Sequence, residues 1–361
     1  MALTASAVSW TVQYMERHDI ARGLIAPPRV CPGDTVAIVS PSAPAVAWWP
    51  HRVDRGRAYL ESLGLKVRLM PNAGGRSGWV SASPEARAAD IHEAFLDDRV
   101  SVVLASIGGN HSNQILPYLD FDLIAAHPKI IQGYSDMTVL LWAIAQRAGL
   151  RTFYGPALTL EMAEYPAVLP YTDRFLRAAW FGSEPIRFEP AHEWTEEFLD
   201  FYTKTDLTRP RELHQNAGWI TIRPGMAEGP LVGGCLETIC WHLKGSAFWP
   251  NLAGAILFLE TSEEAPSPSH VDAYLTDVEQ LGVFESSAGL IVGRPMGYTD
   301  DEREALWRVI QDRTARAGIP VLGNVDLGHT DPMLTIPIGV NARLDAGKRE
   351  FRLLECPTDP A

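Results

Sequence analysis

Four cysteines in 361 residues leave little material for a disulfide framework or a thiolate metal site. Cys31, Cys235, Cys240 and Cys356 form no C-x-x-C pair, so zinc-ribbon spacing is absent and a reducing compartment is implied. Positive charge is also scarce. Lys and Arg total 31 against 44 Asp and Glu, a net charge of −13. An acidic surface repels both nucleic acid and anionic membrane, so neither is expected as a partner. No apolar run approaches the length needed to cross a bilayer. The opening stretch MALTASAVSWTVQYMERHD lacks the basic region and continuous apolar core of a signal peptide. The chain therefore reads as cytoplasmic, with residues 1–28 an extension that has the pattern of a short amphipathic helix. Internal repeats and low-complexity tracts are missing as well.

What is present is an ordinary globular mix, 46% apolar and 21% charged, with length enough for two domains. From Asp34 to Tyr154, short apolar strands alternate with helices. Strands are expected at Asp34–Ser40, Lys66–Met70, Val100–Ser106, Lys129–Gln132 and Arg151–Tyr154. Helices are expected at Arg52–Leu63 and Pro84–Asp97, the second capped by Ser83. Strands this apolar are covered on both faces, which implies an α/β domain with a parallel sheet over residues 29–160. Ligands of such sheets bind beyond the carboxyl ends of the strands, where Ser40, Gly108, Gly109 and Ser135 fall.

The stretch from Lys129 to Ala148 organises the rest. A strand ends in Gly133, Tyr134-Ser135-Asp136 follow, and an apolar helix begins. A sharp strand-to-helix turn lifts the residue at its tip and aims free helix N–H groups at whatever binds there. Ser135 stands at that tip, as in the nucleophile elbow G-x-S-x-G, although Met137 replaces the last glycine. Ser135 read as a simple N-cap is the alternative.

After residue 160 the alternation fails. Residues 161–228 read as a connection, and 183–228, with Trp194, Phe198, Phe201, Tyr202 and Trp219, as a lid over a site or a solvated linker. A second domain over 229–356 mixes helices with a partly antiparallel sheet. Its Ala255–Leu259 strand terminates in Glu260, and its Val321–Leu327 strand leads to Gly328-His329, where the glycine is expected to admit substrate. Glu237–Lys244 reads as a helix, and Leu334–Val340 with Phe351–Leu354 as a hairpin about DAGKR. Serine needs a base to take its proton, histidine titrates near neutrality, and a carboxylate on the far ring nitrogen sets the tautomer. Ser135, His329 and Glu260 supply these three residue types. Taken singly, each also fits a plain loop or turn.

The motifs G-Y-S-D-M-T (133–138), S-I-G-G-N (106–110), G-G-C-L-E-T (233–238), I-L-F-L-E (256–260) and L-G-H-T (327–330) resemble, in order, those of the LD-carboxypeptidase family of serine peptidases. Within it they are most similar to the branch of the microcin C immunity protein. The likeness spans about residues 30 to 355. It implies a flavodoxin-like N-terminal domain and a C-terminal swivelling β/α domain. It also implies Ser135 as nucleophile, His329 as base, Glu260 as its partner, and an oxyanion hole from the N–H groups of Gly109 and Asp136. No cofactor and no metal are implied, and a homodimer is. One departure is Cys235 where the family pattern has asparagine, read here as a buried small residue.

Two activities follow from the resemblance. One is cleavage between an aminoacyl carbonyl and an adenylate-type nitrogen, which detoxifies an antibiotic. The other is removal of a terminal D-alanine from cell-wall tetrapeptides by an LD-carboxypeptidase. The long aromatic connection favours the first, with Trp194 or Trp219 stacking on the base. The substrate is then a small peptide or peptidyl-nucleotide. A catalytically inactive ligand-binding module on the same fold is the third possibility.

Overall fold

The structure, a computed structural model, describes Ile20 and residues 23–359. The amphipathic helix expected at the N-terminus lies outside the described residues. Five strands come first, β1 (Thr35–Val39), β2 (Lys66–Leu69), β3 (Val100–Ala105), β4 (Ile130–Gly133) and β5 (Thr152–Tyr154). The later strands are β6 (Arg187–Phe188), β7 (Glu193–Trp194), β8 (His214–Gln215), β9 (Ile220–Arg223), β10 (Met226–Cys235), β11 (Ile256–Glu260), β12 (Gly289–Gly293), β13 (Val321–Val325), β14 (Ile336–Ile338), β15 (Asn341–Asp345) and β16 (Glu350–Leu353).

Strands β1 to β5 form a parallel sheet in the order β5-β4-β3-β1-β2, as their apolar runs predict. Helix Pro84–Leu96 begins where expected, with the Ser83 side chain accepting from Ala86 N–H. The second sheet has the order β6-β16-β15-β10-β11-β12-β13-β9, parallel from β10 to β13 and antiparallel on both flanks. The chain is thus a two-domain α/β protein.

Three expectations need correction. The run Leu334–Val340 does not belong to the hairpin. Its Ile336–Ile338 crosses back to pair antiparallel with β5 in the first sheet, while β15 and β16 form the hairpin. The segment is fully buried, and an apolar run of this kind pairs wherever an open sheet edge offers unpaired backbone groups. The second domain likewise is not confined to residues 229–356, because β6 and β9, from the connection, close the two edges of its sheet. The helix expected over Glu237–Lys244 is a short α-turn, Leu236–Thr238, running into a π-helical turn, Ile239–Leu243.

Helix Thr138–Arg147 joins the two halves. It is buried from Thr138 to Gln146, which suits a helix apolar on all sides. Trp142 donates its indole N–H to the Gly233 carbonyl at 2.7 Å, and Cys235 N–H donates to the Thr138 hydroxyl at 3.1 Å. Side chains have no room at the joint. A Cβ on Gly234 would lie 2.5 Å from the Thr138 hydroxyl oxygen, and one on Gly233 would lie 1.7 Å from the Phe258 carbonyl. At the end of β10, Gly234 therefore lets the second sheet rest on the helix that follows Ser135, and Gly233 lets β11 close against β10.

Candidate active site

The turn after β4 puts Ser135 in the left-handed region, at φ +61°. A non-glycine residue there costs about 1–3 kcal/mol and persists only where surrounding contacts impose it. Those contacts are on both sides. Ser135 N–H donates to the Tyr154 hydroxyl at 3.2 Å, and the Thr138 hydroxyl donates to the Ser135 carbonyl at 2.7 Å. Gly133 is required beneath the turn, since a Cβ there would lie 2.6 Å from Met137 Cγ and 2.9 Å from Ala105 Cβ. The bulk of Met137, which departs from the G-x-S-x-G pattern, thus fills the space left by Gly133.

Asp136 is fully buried. Its Oδ2 accepts from the N–H groups of His111 and Ser112, both at 2.9 Å, and its Oδ1 accepts from the Ser112 hydroxyl at 2.9 Å. The side chain therefore fastens the Gly108–Ser112 loop to the serine turn, a task that the sequence reading did not give it. A Cβ on Gly108 would sit 3.1 Å from Ser135 Oγ and 3.3 Å from Asp136 N, whereas a Cβ on Gly109 would meet Ser42. Gly108 is accordingly the residue that keeps the space against Ser135 open, and Gly109 has a φ of +139°, which a side chain rarely adopts.

Glu260 ends β11 and is buried. His329 Nδ1 lies 2.8 Å from its Oε2, and the Tyr154 hydroxyl donates to its Oε1 at 2.5 Å. Gly328, at φ +98°, makes room for this carboxylate: a Cβ there would stand 2.4 Å from Oε2. The glycine before His329 thus admits Glu260 rather than substrate. Burial alone would lower the imidazole pKa, but the carboxylates of Glu260 and Glu263 outweigh it and hold it well above its ordinary value. The Tyr134 ring packs against the imidazole in a T-shaped arrangement, 5.0 Å between centroids.

Ser135 and His329 line one cavity of about 360 Å³, with Glu260 behind the histidine and Gly108 and Gly109 beside the serine. The opposite wall comes from the connection, through Glu196 to Leu199, Phe201, Asp206 and Arg211. Charge pairs hold that wall. Asp206 accepts from Arg52 Nη1 at 3.0 Å and also pairs with Arg55 and His51. Arg211 bridges Glu164 at 2.6 Å and Asp331 at 2.8 Å. Inside the cavity, Glu161 takes hydrogen bonds from the Tyr134 hydroxyl at 2.7 Å and Ala157 N–H at 2.9 Å. Burial and nearby Asp331 push its carboxyl up to about 7.

The two tryptophans expected to stack on a base do not line this cavity. Trp219 is 1% exposed, and its indole N–H donates to Asp326 at 2.8 Å, which makes it a core anchor of the second sheet. Trp194 sits on the β7–β8 ribbon with the Arg294 guanidinium 5.0 Å from its ring centre, so a cation covers the ring. The aromatic wall is built instead by Trp48, Trp49, Phe198 and Phe201. Trp49 and Phe201 pack edge-on at 5.1 Å, and Phe198 lies 4.9 Å from Phe201. The signal for Trp48 and Trp49 was their place just past the carboxyl end of β1. Cys235 is buried beside Glu260 in register, and burial raises its thiol well above the ordinary range, so it is no nucleophile.

Tyr154 was not singled out by any motif. Its hydroxyl joins the backbone of Ser135 to the carboxylate of Glu260. Tyr154→Phe is expected to leave both partners short of a bond and to lower kcat roughly tenfold, with a stability loss of about 1–2 kcal/mol. Steady-state kinetics alongside thermal melts check this, and an unaltered kcat would remove Tyr154 from the site.

Two family models cover most of the chain. The LD-carboxypeptidase N-terminal domain matches residues 36–155 and the LD-carboxypeptidase C-terminal domain matches residues 228–344. The Microcin C7 self-immunity protein MccF of Escherichia coli is 32% identical over 331 residues, 90% of this chain and 94% of that protein. A probable murein peptide carboxypeptidase of Bacillus subtilis (strain 168) is 32% identical over 321 residues, 88% of this chain and 90% of that one. The structure of MccF in complex with aspartyl sulfamoyl adenosine superposes with a TM-score of 0.84 at 30% identity, covering 93% of this chain and 100% of that one.

Proposed function

The chain belongs to the LD-carboxypeptidase family of serine peptidases, and on that premise we propose that Ser135, His329 and Glu260 cleave the bond between an aminoacyl carbonyl and an adenylate-type nitrogen. In this reading His329 Nε2 takes the Ser135 proton as Oγ attacks the carbonyl carbon. Glu260 accepts a hydrogen bond from Nδ1–H and so fixes the tautomer. The N–H groups of Gly109 and Asp136 receive the oxyanion, a contribution of several kcal/mol for two aligned donors. The protonated His329 then gives its proton to the leaving nitrogen, and water repeats the cycle on the acyl-enzyme. All four cysteines are free thiols, in keeping with action in the cytoplasm. A homodimer remains the expected assembly.

The observation that carries the substrate class is the aromatic wall of Trp48, Trp49, Phe198 and Phe201 facing the cavity that holds Ser135. Such faces suit a nucleobase, and MccF is a relative crystallised with an aminoacyl sulfamoyl adenosine. The murein peptide relative supports the second reading, a tetrapeptide LD-carboxypeptidase. Mass spectrometry of products separates the two, using aspartyl-sulfamoyl-adenosine and a muropeptide tetrapeptide as substrates. Phe198→Ala is expected to cost roughly tenfold to a hundredfold in kcat/KM on the adenosine substrate, equivalent to about 1–3 kcal/mol of lost stacking, and nearly nothing on the tetrapeptide. Turnover of the tetrapeptide alone would promote the carboxypeptidase, and turnover of neither would favour an inactive binding module.

A further inference from the structure

His329 is flanked by a second carboxylate that the proposed chemistry does not use. Glu263 Oε2 stands 3.1 Å from Nε2, the ring nitrogen that has to face Ser135, and Glu263 lines the same cavity. Nε2 has no aligned hydrogen-bond partner among the described residues, so this is an ion contact rather than a directed bond. The two ends of the contact differ in freedom. The His329 side chain is 7% exposed and the Glu263 side chain 63%. Just before Glu263, Ser262 is pinned, its N–H at 2.8 Å and its hydroxyl at 2.7 Å from Glu237 Oε1. Glu263 therefore reaches from a fixed base into the cavity on a side chain able to swing away.

We propose that Glu263 is an electrostatic cap on the general base, withholding His329 Nε2 from Ser135 until substrate displaces it. The inference rests on the serine-hydrolase reading of the same site. The proton balance is explicit. While capped, His329 carries protons on both nitrogens, Nδ1–H donated to Glu260 and Nε2–H held in the field of the Glu263 carboxylate. As Glu263 withdraws, the Nε2 proton passes to solvent, and the freed lone pair accepts the proton of Ser135 Oγ–H. The charged groups bearing on the ring are Glu260 from the end of β11 and Glu263 from the following loop, while the Tyr134 hydroxyl is donated to Glu161 and Asp331 is occupied by Arg211. Removing Glu263 leaves a single carboxylate on the imidazole, which lowers its proton affinity and favours the neutral base.

The test is the rate at which an alkyl fluorophosphonate labels Ser135, followed across pH in the full chain. Ser135 Oγ attacks phosphorus, fluoride leaves and His329 takes the proton, so the rate reports the base without a specific substrate. Glu263→Ala is expected to move the acid-side midpoint down by about one pH unit and to speed labelling near neutral pH roughly threefold to tenfold. Glu263→Gln keeps the length without the charge and is expected to move the midpoint the same way. An unmoved midpoint in both variants, or slower labelling in Glu263→Ala, overturns the cap while leaving Ser135 as nucleophile. Absence of labelling at Ser135 in the unmodified protein overturns the serine reading and the cap with it.

Discussion

Replacing Ser135 by alanine is expected to lower kcat by about 10⁴-fold or more, the loss typical of a triad deprived of its nucleophile, with stability almost unchanged. The hydrogen bonds that hold the turn run through the Ser135 backbone, from its N–H to Tyr154 and to its carbonyl from Thr138. The hydroxyl is spare to them. Ser135→Gly makes the distinction sharper. Glycine occupies a φ of +61° without the penalty that serine bears there. That variant is expected to be as inactive as the alanine one yet to gain up to about 1 kcal/mol in stability. Turnover assays and thermal melts on the three proteins decide it. An alanine variant that keeps more than a tenth of normal turnover would falsify the assignment.

The second large effect is expected at the His329–Glu260 pair. Glu260→Gln preserves shape but offers an amide where a carboxylate accepted from Nδ1, which favours the wrong imidazole tautomer, with a loss of order 10³–10⁴ in kcat. Adding His329→Ala should cost little more, because residues acting as one unit are not additive. Independent, multiplicative losses would mean that the two do not cooperate. The pH profile gives a second handle. The pair of carboxylates holds His329 protonated to above its ordinary range. The active base is the neutral ring, so kcat/KM should fall as pH drops through a midpoint above about 6.5. Glu260→Gln, by removing one of those charges, should shift that midpoint downward.

Much of this site was legible because its signals are local. Gly133 to Thr138 encodes a strand end, a turn and a helix start within six residues, and the φ of Ser135 follows from that geometry. Glu260 and His329 stood out because one ends an apolar strand and the other follows one, in a domain whose strands are easily read. The aromatic wall was misjudged for the opposite reason. Trp194, Phe198 and Trp219 look alike as residues in a polar connection, and nothing local says which one faces inward.

The sequence by itself determined the strand-turn-helix that presents Ser135, the parallel core strands with their apolar runs, and the helix cap at Ser83, since hydrophobic period and capping chemistry act over a few residues. Only the tertiary structure decided the rest. Asp206 reaches back about 150 positions to Arg52, which turns the connection into a cavity wall. Ile336–Ile338 leaves its own domain to extend the first sheet beside Tyr154. Gly328 opens space for Glu260 rather than for substrate, and Glu263 arrives at the free nitrogen of His329. These pairings depend on which distant charge or open sheet edge lies within reach once the chain has folded, and the periodicity of a segment carries no record of that.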